Sequence, residues 1–353
     1  MIGDIDWKIA LLPESATVNA AIQSLEISGL KLVVVITHDD IPVGTVSDGD
    51  LRRGMLIGMG LDAPIVNYMN RAPLLASSYL GDDEILEIMS VNKISLLPLV
   101  DEHGRITGIK TLEYTSTSKL EKKTMIIMAG GRGSRLAPHT NNIPKPLVKV
   151  GGKPMIEHII EKAKEQGFTK FIVSINHMGN LVEKYLGNGS QRGVTIEYIR
   201  ESRPLGTAGS LSLFDGELKK SLVVTNCDVL GNFSYIDILN YHEAHDAFAT
   251  VAIKKHTVQN EFGVIDLNGM EITGFTEKPQ YISYINVGIY VLNKKILGLL
   301  NRNEVCDMPT LLKMAIDKSQ KVIAFPLHEN WLDVGRPSDL KAANELYIEV
   351  ENE

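Results

Sequence analysis

Apolar and polar positions follow two different rhythms along this chain, and the rhythm changes near residue 120. Before that point one unit recurs. Apolar residues at helical spacing over Thr17–Ser28 lead into the buried-strand run KLVVVIT, the turn HDDIP, and a second strand VGTVS that ends at DGDLRRGM. The same order returns as a helical stretch over Asp82–Asn92, the strand ISLLPLVD, the turn EHG and the strand RITGIKTLEY. Helix, strand, turn, strand therefore occurs twice within 1–118, in copies covering about 8–60 and 67–115. The polar run TSTSKLEKK that follows is poor in apolar residues and predicts a linker at 119–123.

From residue 124 strands and helices alternate singly. Met125–Met128, FIVSIN, VTIEYIRE and SLVVTNCD read as strands, while Pro154–Gln166, Gly179–Leu186 and Tyr235–His245 carry apolar residues at helical spacing. This alternation predicts βαβ units around a mainly parallel sheet, an α/β Rossmann-like domain over 124–353. Ligands of such sheets sit at the carboxyl ends of the strands, where the glycine cluster after Met128 and Asp228 both fall.

Composition narrows the classes. A net charge of -7 argues against a nucleic-acid binder, whose footprint would be a basic face. Two cysteines, Cys227 and Cys306, are too few for a disulfide framework, and no Cys/His spacing suggests zinc. The early acids of MIGDIDWKIALLPES do not suit a signal peptide, and no apolar run reaches the length of a bilayer span. A cytoplasmic protein without membrane partners is expected.

Against this acidic background, Thr124–Ile156 contains Arg132, Arg135, Lys145, Lys149 and Lys153 and no acid. A buried strand feeding Gly130, Gly131 and Gly133 can present backbone N–H groups to an anion, and absent Cβ atoms let phosphates come close. The spacing matches neither G-x-x-x-x-G-K-[ST] nor G-x-G-x-x-G.

The run AGGRGSRLAPHTNNIPKPLVKVGGKP does, however, resemble the signature of sugar-1-phosphate nucleotidyltransferases nearly position for position. That family includes mannose-1-phosphate guanylyltransferases and glucose-1-phosphate thymidylyl- and uridylyltransferases. The resemblance implies the nucleotide-diphospho-sugar transferase fold, with Ala129, Gly130, Gly131, Gly133 and Ser134 wrapping a nucleoside triphosphate. It places Arg135 on the β and γ phosphates and Lys145 on the reacting phosphate.

Further strings extend the resemblance in the family's order. In RPLGTAGSL, Gly206, Ala208 and Gly209 form a small-residue turn able to bring backbone amides against a base or phosphate. The family's nucleoside pocket puts Gly206 and Thr207 there, in a form close to that of guanylyltransferases, which favours GTP. The strand ending at LVVTNCD puts Asp228 at its terminus, where a carboxylate in a phosphate site calls for a cation. ENWLDVGRPSDL resembles the family's W-x-D-V-G-T-P string, so Asp228 and Asp333 are the implied Mg²⁺ ligands. Cys227 and Arg336 depart from the usual glycine or alanine and threonine, while Asp307 and Asp339 read as caps or surface charges. FTEKP and YINVGIYVL imply a sugar pocket from Glu277, Lys278, Asn286 and Gly288, whose carboxylate and amide suit hydroxyl recognition.

The N-terminal repeat looks like a pair of CBS domains, modules that often bind adenosine nucleotides. The family's Gly, Ser/Thr, Asp spacing reads Gly44, Ser47, Asp50 in the first copy, followed by Arg52 and Arg53. In the second it reads Gly108, Thr111, Tyr114 and lacks the acid. Ser47 and Asp50 are thus the candidate AMP or ATP site. The competing reading makes Asp48 and Asp50 helix caps, leaves Arg52 and Arg53 solvated, and gives the module a packing or dimerisation role.

Together these resemblances imply nucleotidyl transfer from a nucleoside triphosphate, GTP first, to glucosamine 1-phosphate or mannose 1-phosphate. The expected protein uses Mg²⁺ and is a homo-oligomer. Uridylyl or thymidylyl transfer to glucose 1-phosphate is the alternative within the class; a nucleotide sensor without turnover is the alternative outside it.

Overall fold

The structure is a computed structural model that describes residues 7–92, 94–111, 123–216 and 220–351. Residues up to 111 and residues from 123 belong to two separate compact units. Most of the linker expected at 119–123, and Tyr114, lie outside the described residues.

The first unit builds the same small sheet twice. Leu11–Pro13 runs parallel to Leu32–Ile36, which pairs antiparallel with Pro42–Ser47. Ala76–Ser77, Leu96–Val100 and Ile106–Thr111 repeat this arrangement, and each antiparallel pair shifts register near the end of its first strand. The helix of the first copy, Val18–Ser28, starts where the Thr17 hydroxyl accepts from the Ala20 amide, and stops at Gly29 in the left-handed region. Its counterpart, Asp82–Val91, opens with three acids in its first turn, favourable at the positive end of a helix.

The second unit is a seven-stranded sheet in the order Thr195–Arg200, Phe168–Ile175, Lys123–Met128, Ser221–Asn226, Gln280–Asn293, Ala249–Gln259, Val322–Pro326. Six strands are parallel to one another and only Gln280–Asn293 runs against them. The mainly parallel α/β sheet expected from the sequence is therefore present. Lys123–Met128 explains its own central place: Met125 and Ile127 enter one core layer and Ile126 the other, all fully buried. A strand apolar on both faces needs cover on both. The helices Met155–Glu165, Tyr235–Ala244 and Pro337–Glu351 supply it on one side and Met308–Asp317 on the other. Among the described residues no helix is long and apolar enough to cross a membrane.

Candidate functional site

Three of the parallel strands end in the residues that surround one cleft. Lys123–Met128 runs into the glycine loop, Ser221–Asn226 into Cys227 and Asp228, and Thr195–Arg200 into Glu201. The cleft holds about 370 Å³, within the range of small-molecule sites, and its walls include Gly130, Gly131, Gly133, Ser134, Arg135, Lys145, Gly206, Thr207 and Asp228.

The glycines serve different ends. A Cβ on Gly133, whose φ is +65°, would lie 2.9 Å from the Lys145 Cβ and 3.0 Å from the Thr140 Cγ2. A Cβ on Gly130 would lie 2.7 Å from a Glu201 carboxylate oxygen, whereas at Gly131 it would meet nothing within 4 Å. The first two let chain pack on chain, and the third keeps its face open to the cleft. Ala129 is buried in the core with its amide bonded to the Ser174 carbonyl, so its side chain anchors the root of the loop instead of lining the cleft.

Opposite the loop stand the acids. Lys145 is buried and its Nζ donates to the Asp228 Oδ2 at 2.5 Å. After Asp228 the short strand Val229–Gly231 pairs antiparallel with Trp331–Asp333, setting Val229 against Asp333, and the Val334 amide bonds the Asp228 carbonyl at 2.9 Å. Residues 228 and 333 are thereby held together. Although Asp333 keeps part of its surface open, burial and then the charge of Asp228 raise its carboxyl above the usual range, against the pull of Lys145 and Arg135. Two carboxylates that repel each other beside Lys145 and Arg135 form an all-oxygen donor set suited to a hard divalent ion such as Mg²⁺. Cys227 is buried, and its thiol is pushed up to about 12 by that burial and by Asp228, so it stays neutral.

The turn at 206–209 corrects one expectation. Three of its amides are already engaged and not available to a base or phosphate: that of Thr207 donates to the Asp307 Oδ1 at 3.1 Å, and those of Ala208 and Gly209 to the Cys306 carbonyl at 2.9 Å each. The Thr207 hydroxyl in turn accepts from the Met308 amide at 2.8 Å. Asp307, read from sequence as a cap or surface charge, does stand at the N-cap position of the helix Met308–Asp317, and its carboxylate, which caps no amide of that helix, clamps this wall of the cleft. Asp339 does cap, accepting from the Arg336 amide.

Glu201 was not singled out from sequence. It accepts from the Ser174 hydroxyl at 2.7 Å and the Leu205 amide at 3.0 Å, tying the 204–207 wall to the glycine loop. Its place at a strand's carboxyl end, next to the PLGTAG string, was the available signal.

The sugar candidates are not among the residues lining this cleft, although Gly288 stands against Asn226, which is. Gly288, with φ +85°, lets its strand approach Asn226, whose side-chain nitrogen would stand 2.7 Å from a Cβ there. Asn286 bonds the Tyr290 hydroxyl and the Gly288 amide. Glu277 and Lys278 are exposed between two strands of a projecting ribbon, Lys278 with φ +44°. In the first unit, Ser47 and Asp50 form a reciprocal capping box on the helix Asp48–Leu56, and Arg53 pairs with Asp50. Arg52 is not solvated as one reading had it: it is 1% exposed and grips Asp48 through Nε at 2.7 Å and Nη2 at 2.9 Å.

A mainly parallel sheet with a cationic glycine loop facing paired acids is the arrangement of a nucleotidyl transferase, and the chain matches the nucleotidyl transferase family model over residues 124–350. The chain belongs to this family. It is 33% identical over 232 residues to a mannose-1-phosphate guanyltransferase of Saccharomyces cerevisiae, covering 63% of this chain and 64% of that one. A mannose-1-phosphate guanyltransferase of Gibberella zeae is 34% identical over 233 residues with the same coverage. The chain thus spans 64%, less than two thirds, of the length of these curated relatives. Among solved structures, a Bacillus anthracis protein in complex with a sucrose superimposes with a TM-score of 0.52 at 27% identity, covering 64% of this chain and 95% of that one. A UDP-glucose pyrophosphorylase complexed with UDP-glucose shares the fold at a TM-score of 0.50 and 19% identity, covering 65% and 99%.

Proposed function

We propose that this protein is a sugar-1-phosphate nucleotidyltransferase that uses GTP and, ahead of glucosamine 1-phosphate, mannose 1-phosphate. The observation that carries the reading is the meeting of Arg135, Lys145 and Asp228 at one cleft, with Asp333 held beside Asp228. A phosphate oxygen of the sugar 1-phosphate attacks the α-phosphorus of the nucleotide. The bond from that phosphorus to the bridging oxygen breaks, and pyrophosphate leaves with the electron pair. The attacking phosphate is already ionised, so no general base is needed; positioning and charge stabilisation carry the rate.

Lys145 neutralises charge at the α-phosphate and Arg135 at the departing pyrophosphate. Asp228 and Asp333 would hold Mg²⁺, which when bound neutralises charge on the phosphate oxygens. Gly130, Gly131, Gly133 and Ser134 cradle the triphosphate, while Gly206 and Thr207, braced by Asp307, form the nucleoside wall. Glu277, Lys278, Asn286 and Gly288 serve the sugar side. The guanyltransferase names of the relatives favour GTP and mannose 1-phosphate over UTP or dTTP with glucose 1-phosphate. A CBS pair in the first unit, with AMP or ATP near Ser47 and Asp50, is a separate part of the proposal that rests on the sequence repeat alone; those two side chains cap the helix Asp48–Leu56.

The test is pyrophosphate release with and without Mg²⁺ across a panel of nucleoside triphosphates and sugar 1-phosphates. Release fastest with GTP and mannose 1-phosphate is expected; no release with any pair would overturn the reading. Repeating the panel with AMP or ATP, in wild type and Asp50→Ala, tests the adenylate site.

A further inference from the structure

The main sheet sends two strands past its edge. Beyond Ile253 and Asn286, Ala249–Gln259 and Gln280–Asn293 pair only with each other among the described strands. Between them Val264–Asn268 and Glu271–Thr276 form a two-stranded sheet of their own. Two strands without a covered apolar face are marginal in water.

The register puts Ile265 opposite Phe275 and Leu267 opposite Ile272, on one face of this hairpin. That face is open, with exposures of 49%, 74%, 65% and 54% respectively. Phe262 before the hairpin and Met270 at its tip are 76% and 100% exposed. Asp266, Asn268, Glu271 and Gly274 occupy the other face. At about 200 Å² for a large side chain, the four residues of that face leave roughly 500 Å² open, and Phe262 and Met270 bring the open apolar area of the segment 261–277 to roughly 800 Å². A monomer's largest patch is about 300–600 Å². Each partner in a stable interface of standard size buries about 800 Å².

We propose that the hairpin 261–277 is the docking face for a second copy of this chain. Besides the matching area, the face itself carries no charge, so a two-fold axis brings no like charges into its centre. The segment 261–277 holds Glu261, Asp266, Glu271 and Glu277 and no lysine or arginine, which opposes an anionic lipid surface as the occupant. Glu277 and Lys278 follow directly on the hairpin, so the same contact fixes the loop assigned to the sugar. That last consequence rests on the proposed reaction; the association does not.

Sedimentation velocity on the full chain tests it. The wild type is expected to be dimeric at about 10 µM, and Ile272→Glu/Phe275→Glu to be monomeric with an unchanged circular dichroism spectrum. Ile316→Glu, at an apolar residue exposed elsewhere, should remain dimeric. Amide exchange over 261–277 in the wild type should slow at least tenfold from dilute to concentrated solution, a measurement that needs no variant. A monomeric wild type, a double variant that associates like the wild type, or exchange independent of concentration would each overturn the proposal. Co-sedimentation of a monomeric wild type with anionic vesicles would assign the face to lipid instead and overturn it too.

Discussion

Two lysines show how differently the cleft and the projecting ribbon are built. Lys145 is 7% exposed, packs against a glycine that has no room for a Cβ, and already contacts Asp228. Lys278 stands exposed at the foot of an uncovered hairpin, on backbone of positive φ. In the cleft, charge is placed by packing before any ligand arrives, so little reorganisation remains for the reaction. On the ribbon, position must come from outside, from a bound sugar phosphate or a second chain. On the proposed reaction and the proposed docking, the protein separates a preformed phosphate-handling half from a half completed by association.

The strongest way to break this contrast is to remove the preset charges. Lys145→Ala and Asp228→Asn should each lower turnover about 10²- to 10³-fold in a pyrophosphate-release assay, with the thermal midpoint little changed. Near-normal turnover in either would sink their assignment. Gly133→Ala should come next, costing about 1–3 kcal/mol in denaturant unfolding, because the new Cβ meets Lys145 and Thr140 on left-handed backbone. Asp307→Ala should raise KM for the nucleotide about tenfold and leave turnover within a few-fold, since it frees a wall and no reacting group. An unchanged KM would show that the 206–209 turn needs no clamp.

A gentler probe uses acid. His242 is buried against the Thr250 hydroxyl at 2.9 Å, and its imidazole is lowered to about 4, chiefly by burial and then by Lys220. Between that value and its ordinary 6.5 the unfolded chain binds a proton that the folded chain refuses. Stability should therefore fall as pH drops from about 6.5 towards about 4 and be insensitive to this group above 6.5. Thermal midpoints of His242→Gln across that window should show a shallower slope than wild type. The smallest effect belongs to the ribbon: Glu277→Ala should raise KM for the sugar phosphate several-fold and leave KM for the nucleotide unchanged. An equal rise in both would place Glu277 in the cleft.

Much of the sheet was legible because its strands are apolar on both faces and its helices are not. The helix expected over Pro154–Gln166 runs Met155–Glu165, and that over Gly179–Leu186 has those bounds. The approach of Lys145 to Asp228, 83 residues on, comes from Asp228 following a strand's carboxyl end and from the short helical turn Lys145–Leu147 packing back on Gly133 of the loop after another strand. Asp307 was not legible, since its partner Thr207 lies 100 residues away and no local pattern announces the contact. Arg52 was misread in one account because a pair of arginines after acids resembles a solvated face; only packing shows Arg52 buried. The ribbon was missed outright. Its apolar residues fall on a surface that the rest of the chain leaves bare, so periodicity gives no inward face to find.

One strand, Gln280–Asn293, belongs to both halves. Its last residues are wedged between Ser221–Asn226 and Ala249–Gln259, while residues 280–285 pair on one side only. In an evolving lineage the inner part is constrained by neighbours on both edges, and the outer part by one. On the proposed reaction, residues 280–285 can change without disturbing the acids and cations of the cleft, which leaves preference among acceptors free to drift while the phosphate chemistry is kept.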